Sequence, residues 1–181
     1  MRIVFMALVI LLTAPAARAD QNDPRLDGLF SQLQTFETVE QASGTTNRIW
    51  SIWIASDNAA AAELMAVGIA LMSMKRLVEA LARFDKLVEI APQFAEAWNK
   101  RATVHYLLDN FQQSFDDIGR TLALEPRHFG ALSGLGLIYI ETGEDDVALR
   151  AFEAALEANP HAPGARQHIE IINRRLKGKA I

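Results

Sequence analysis

The feature that most constrains this chain is that it matches itself at an offset of 34 residues. Pro92, Pro126 and Pro160 are separated by that interval, and in the same register Leu64 aligns with Trp98 and Leu132, Gly68 with Ala102 and Gly136, and Leu71 with His105 and Tyr139. Further along, Ala80, Ser114 and Ala148 form one column, Phe84, Ile118 and Phe152 another, and Leu87, Thr121 and Ala155 a third. A period of this length means that one supersecondary unit is repeated and that neighbouring units bury each other's apolar faces. In the third unit Leu132, Leu135, Gly136 and Tyr139 share one helical face, and Val147, Ala148, Ala151, Phe152 and Ala155 share a face of a second helix. Thr142-Gly143-Glu144 lies between them, with Gly143 suited to a left-handed helix end. Each spaced proline follows a second helix and stops it, because proline has no N–H to donate and its ring clashes with the preceding turn. The small column Gly68, Ala102 and Gly136 marks the place where two helices approach closely.

The flanks also read as helices. Asp23-Pro24 is a helix start, followed by the apolar stripe Leu26, Leu29, Phe30, Leu33 and Phe36. Thr38 with Gln41 reads as a capping box, after which Val39, Ala42, Thr46, Ile49 and Trp53 predict one helix to about Ser56, weakened near Ser43-Gly44. Ala165, Ile169, Ile172 and Leu176 mark a final helix whose intervening polar residues suit the outer cap of a solenoid.

Residues 61–94, 95–128 and 129–162 resemble tetratricopeptide repeats. The third carries Leu132, Leu135, Gly136, Tyr139, Gly143, Ala148, Phe152, Ala155 and Pro160 at the family's positions. The middle unit has His105 where tyrosine is usual and Thr121 where alanine is usual, and the first has Lys75 in place of the turn glycine. The resemblance implies an all-α, right-handed superhelical solenoid of three TPR helix hairpins, with an N-terminal helical hairpin over 20–60 and a capping helix and basic tail over 163–181. It also implies that first helices line a concave groove. Carried over repeat by repeat, that face comprises Met65, Ile69 and Met72, then Asn99, Thr103 and Tyr106, then Ser133, Leu137 and Ile140. Chaperone-binding members grip a terminal carboxylate there with basic and amide side chains, for which this chain offers Asn99 and the neighbouring Lys100.

Charge and compartment follow from the remaining residues. Eighteen Lys+Arg against 22 Asp+Glu give a formal charge of −4, which supplies no footprint for a phosphate backbone and predicts no nucleic-acid partner. There is no cysteine, which excludes disulfides, cysteine-zinc sites and thiol catalysis. Met1 to Ala19 has the layout of a secretory signal peptide: Arg2, an apolar run from Ile3 to Leu12, and Ala17-Arg18-Ala19 before Asp20. That run is shorter than the ~20 apolar residues a spanning helix needs, so the expectation is cleavage after Ala19 rather than an anchor. The mature chain is then an exported protein, with the bacterial periplasm as its compartment and no integral membrane segment.

No catalytic arrangement stands out. Ser133 sits between Gly130 and Gly134 with the wrong spacing, and on a helix, for a nucleophile elbow. His161 and His168 are seven residues apart, about 10.5 Å of helical rise, which is too far to share one zinc. His105 reads as a packed, hydrogen-bonded core residue, and His128 has no carboxylate close in sequence, so no metal or other cofactor is predicted. Asp116-Asp117 and Glu144-Asp145-Asp146 read as acids at the starts of second helices, offsetting the helix dipole. Arg174, Arg175, Lys177 and Lys179 read as the complementary charge at a helix C-terminus, with an anionic surface as the alternative. Ala59 to Met74 holds one charge, Glu63, and has to be covered, either by the N-terminal hairpin through Trp50 and Trp53 or by a partner's apolar segment docking on an adaptable methionine surface. The resulting expectation is a non-catalytic scaffold or adaptor that binds a protein or peptide in the groove. The alternatives are an accessory subunit or enzyme of cell-envelope metabolism and a self-associating structural module.

Overall fold

A computed structural model describes residues 20–179, and the signal-peptide reading of Met1 to Ala19 therefore lies outside the described residues. Among those residues the chain forms nine helices and no strand: α1 Arg25–Leu33, α2 Val39–Ile54, α3 Ala59–Ser73, α4 Leu77–Ile90, α5 Ala95–Leu107, α6 Phe111–Leu124, α7 Phe129–Glu141, α8 Asp145–Ala158 and α9 Ala165–Lys179. Helices α3 and α4, α5 and α6, and α7 and α8 pack as hairpins, and each second helix packs on the next first helix in turn.

The repeat columns explain this architecture at atomic scale. A Cβ placed on Gly136 would lie 2.6 Å from the Phe152 ring, and one on Gly68 would lie 2.6 Å from the Phe84 ring. The middle unit solves the same contact with Ala102 and Ile118, which share one cluster: the larger first-helix residue faces the smaller second-helix one. The helix hairpins turn alike. Lys75 at φ 58°, Asp109 at φ 59° and Gly143 at φ 82° all occupy the left-handed region at the same repeat position. Around them the amide N–H groups of Arg76, Asn110 and Glu144 donate to the carbonyls of Leu71, His105 and Tyr139 at 2.9, 2.9 and 2.8 Å. This six-to-one bond closes the helix end whether or not glycine is present, and the lysine and aspartate carry the conformational cost that glycine avoids. Pro92, Pro126 and Pro160 each stand two residues past their helix.

The N-terminal hairpin departs from the sequence reading in detail. The capping box at Thr38 and Gln41 forms, and α2 runs unbroken through Gly44, but it ends at Ile54 with Ala55 extended. Its buried face is Ala42, Thr45, Ile49, Ile52 and Trp53, whereas Val39 is exposed. The reason is where the hairpin docks. Gln21 Nε2 donates to the Gln93 carbonyl at 2.6 Å while its Oε1 accepts from the Ala95 amide. Asp27 pairs with Arg127 at 2.7 Å, and the Arg127 guanidinium lies over the Phe30 ring. Gln34 Nε2 donates to the Glu157 carbonyl at 3.1 Å, and the His161 ring Nε2 is 3.0 Å from the Phe36 carbonyl. Residues 21 to 36 thus touch the α4–α5, α6–α7 and α8–α9 junctions in succession, so α1 is a strap along the edge of the solenoid. Of the two covers expected for Met65, Ile69 and Met72, the tryptophans belong to a different cluster: Trp50 and Trp53 pack on the start of α7, with Trp53 5.1 Å from Phe129 between ring centroids. Met65 is buried in a cluster shared by α3, α4 and α5, to which α2 contributes Ile54.

The two glycine environments predict opposite outcomes. Gly136→Ala drives a methyl into the buried Phe152 ring and is expected to cost about 1–3 kcal/mol despite alanine's better helix propensity. Gly44→Ala meets nothing within 4 Å in the middle of α2 and is expected to stabilise by about 0.5–1 kcal/mol. Denaturant melts of both variants check the sign.

Candidate functional site

The first helices α3, α5 and α7 form one row, and α2 lies across it against α5. At the N-terminal ends of α5 and α7 the hairpin fills the available space. Trp53 stacks on His128 with ring centroids 4.1 Å apart and planes 12° from parallel, and Trp50 meets both His128 and Phe129 edge-on. A Cβ on Gly130 would lie 2.6 Å from Trp50, so glycine is what lets α2 sit this close to α7. The buried Trp53 Nε1 finds no acceptor among the described residues, which makes its contribution one of apolar contact and stacking.

Beneath the tryptophans is a charged cluster that the sequence reading missed. Glu96 is fully buried, with Lys100 Nζ 2.9 Å from one carboxylate oxygen and both His128 Nε2 (2.8 Å) and Asn99 Nδ2 (2.9 Å) on the other. His128 caps α7 by accepting the Ala131 amide on Nδ1, which leaves Nε2 as the donor to Glu96 in the neutral ring. Burial pushes the Glu96 pKa up, but Lys100 and His128 more than offset it and hold the carboxyl below its ordinary value. The carboxylate that His128 meets is not close in sequence: Glu96 comes from another helix, 32 residues away. A signal existed in the repeat columns. Glu96 stands where the other units have Ala62 and Gly130, and His128 where they have Phe94 and Ala162, so each is a polar exception in a small or apolar column.

The acids at the α6 position also need correction, whereas Asp145 and Asp146 do stand in the first turn of α8. Asp117 is not at a helix start, since α6 begins at Phe111; it is buried, and its two oxygens accept from Arg101 Nε and Nη2 at 2.7 and 2.6 Å. Arg101 reaches Asp85 as well, tying α5 to both α4 and α6. His105 is partly buried with its Nδ1 unpartnered among the described residues and its Nε2 4.0 Å from Asp117, and burial lowers its pKa. Asp145, at the start of α8, pairs with Arg175 at 2.7 Å, so one residue of the basic C-terminal run holds α9 to the third repeat.

Beyond the hairpin the row stays open. A pocket of about 230 Å³ lies between α5 and α7, with Ala102, Ile118 and Gly134 as floor and Leu137 as wall. Asn99, Thr103, Tyr106, Ser114, Gly130 and Ser133 complete its lining, so five of the nine predicted groove residues converge here. The other four do not: Met65 is buried, Ile69 and Met72 pack against the first unit's core, and Ile140 packs against the cluster shared by α1, α2, α8 and α9. Thr103 and Ser133 donate their hydroxyls to the Asn99 and Phe129 carbonyls of their own helices, so the surface they present is largely apolar. A larger cleft of about 440 Å³ follows the seam between α1 and the α6–α7 loop, where Arg127 is already paired with Glu125 and Asp27. Among the described residues no three His, Cys, Asp or Glu side chains converge to hold a metal ion, and no helix is long and apolar enough to cross a membrane.

Stacked helix hairpins with a side-chain-lined row of first helices define a helical-repeat scaffold. The comparisons with known proteins specify which. A family model described as the tetratricopeptide repeat matches residues 129–162. A TPR repeat-containing protein of Rhizobium etli is 36% identical over 154 residues, covering 85% of this chain and 76% of that protein. The chain belongs to the tetratricopeptide repeat family. Among solved structures, the Sgt2 TPR domain from Aspergillus fumigatus superposes with a TM-score of 0.64 at 20% identity, covering 68% of this chain and 83% of that one. The first TPR of Spaghetti bound to the HSP90 peptide SRMEEVD gives a TM-score of 0.64 at 21% identity, covering 67% and 96%.

The buried cluster predicts an acid-linked stability. With its folded pKa below the unfolded value near 4.5, Glu96 contributes stability that is present above that pH and lost as pH falls through the folded pKa. Glu96→Gln is expected to cost about 1–3 kcal/mol at neutral pH by leaving Lys100 without its counter-charge, and to make the decline in melting temperature below pH 5 shallower. Thermal melts from pH 7 to pH 3 read both effects.

Proposed function

We propose that this protein is a non-catalytic scaffold or adaptor, exported to the bacterial periplasm, that binds a protein or peptide segment between α5 and α7. The observation that carries the reading is the open pocket into which Asn99, Thr103, Tyr106, Ser133 and Leu137 converge from two successive repeats. The peptide-bound Spaghetti domain, similar in fold, supports a peptide as occupant. Export rests on the order of charge, apolar run and small residues in Met1 to Ala19.

Thr103 is exposed and Leu137 partly buried, which sets the test. Thr103→Asp and Leu137→Asp should each abolish peptide capture in calorimetric titrations, while circular dichroism reports native helix content. Thr103→Asp should also melt within a few degrees of the parent, because an exposed aspartate meets water in the free protein. Undiminished binding in both variants would remove the pocket from the site. Mass spectrometry of the exported protein should find an N-terminus at Asp20; a mature chain that retains Arg2 would refute the cleavage.

A further inference from the structure

The row of first helices carries two cationic side chains, Lys100 and Arg101, and one imidazole, His105, and none of them lines the pocket. Lys100 is spent on buried Glu96 at 2.9 Å and lies over the Trp50 ring. Arg101 is spent on Asp117 and Asp85 at 2.6 and 3.1 Å. His105 sits beside the same Asp117. The amide of Asn99, which could bind a carboxylate, donates instead to Glu96. The chain thus supplies its own carboxylate to the two side chains from which a clamp for a foreign one would be built. Lys75 belongs to the turn of the first unit, which does not line the pocket.

The charges near the pocket that have no ion pair among the described residues have the other sign. Tyr106, on its rim, directs its hydroxyl toward Glu141 Oε1 at 3.4 Å, and Glu141 and Asp109 both act on the phenol electrostatically. Burial first, and then those two acids, raise the Tyr106 pKa. Glu141 and Asp109 are exposed. The pocket therefore combines an apolar floor of Ala102, Ile118 and Gly134, a leucine wall, hydroxyls already bonded to their own helices, and an acidic rim at the Tyr106 end.

Resting on the peptide-binding reading above, we infer that the groove is built for an internal peptide segment that seats one apolar side chain between α5 and α7 and places a lysine or arginine beside Glu141 and Asp109. A segment ending in acidic residues and a free carboxylate, such as SRMEEVD, is disfavoured. Desolvating its carboxylates at this rim would be uncompensated, since no free cation lines the pocket among the described residues. The volume of about 230 Å³ accommodates one aliphatic or aromatic side chain and not a row of them, so the basic neighbour contributes specificity and the buried side chain most of the affinity.

The test uses the mature chain and two probes: a random twelve-residue library displayed internally, so that no free C-terminus is offered, and the synthetic peptide SRMEEVD. The expected result is enrichment of one apolar residue flanked by lysine or arginine, with calorimetric binding that Leu137→Asp abolishes and Glu141→Lys weakens about fivefold, as reversal of a surface charge does. SRMEEVD should bind more weakly than the selected peptides. Selection of acidic sequences, tighter binding of SRMEEVD, or indifference to Glu141→Lys would overturn the inference and leave peptide binding in the groove standing. Failure of every probe to bind, or binding that survives both Leu137→Asp and Thr103→Asp, would overturn the groove reading itself and this inference with it.

Discussion

The stack of Trp53 on His128, with Glu96 behind the imidazole, is the contact on which the arrangement of the whole chain depends. It joins three elements that are distant in sequence: α2 supplies the indole, the start of α7 the imidazole and α5 the carboxylate. A buried carboxylate is costly on its own, and this one is tolerated because Asn99 and His128 hydrogen-bond one oxygen at 2.9 and 2.8 Å and the Lys100 ammonium pairs with the other at 2.9 Å. The same ring that neutralises that cost caps α7 and offers its face to Trp53. Register between the second and third repeats and the docking of the N-terminal hairpin are therefore set by one side chain. A hydrophobic residue at 128, as in the columns of Phe94 and Ala162, would pack but could not fix all three.

How far the sequence discloses the molecule depends on whether a contact is local and repeated. The Gly136–Phe152 and Gly68–Phe84 approaches recur at a fixed offset, so they leave a period that can be read directly, and the Ala102–Ile118 variant keeps the column while exchanging the sizes. The left-handed turns were legible only at Gly143; Lys75 and Asp109 adopt the same conformation because the six-to-one hydrogen bond demands it, against their own preference. The hairpin's placement was not legible. Gln21 meets Gln93, Gln34 meets Glu157 and Phe36 meets His161, single contacts across 72 to 125 residues that produce no periodicity. Five groove residues came together from the repeat phase alone, but which of them stayed accessible depended on that placement: Asn99 is inside the charged cluster, and α2 rather than a partner occupies the space beside Gly130.

Charge was harder to interpret from sequence than shape. Asp117 and Glu96 both sit on helices where an acid has an ordinary surface explanation, yet both are buried and answered by a cation from the same or a neighbouring helix. Each occupies a position where the corresponding residues of other repeats include small side chains, Ala151 for Asp117 and Ala62 and Gly130 for Glu96. In a repeat protein such exceptions are informative because the neighbouring units act as internal controls for what the scaffold alone requires. What remains after subtracting that requirement is the set of contacts particular to this chain, and here those contacts consume the positive charge of the inner helices.

The strap formed by α1 changes the kind of folding expected of a solenoid. Stacked repeats interact only with their neighbours, so they ordinarily unravel from the ends, with each unit's stability set by itself and the next. Here the segment from Gln21 to Phe36 bonds to three successive junctions, and its last contact is with His161 near the opposite end of the repeat array. Loss of the final unit therefore removes support from the first helices, and fraying at one end is felt at the other. The linear chain of units becomes a closed loop of dependencies, which raises the sequence separation of its contacts and favours one cooperative transition over a graded one. It also fixes the spacing between junctions, so the curvature of the inner row is held by a tie along its edge rather than left to vary like a spring.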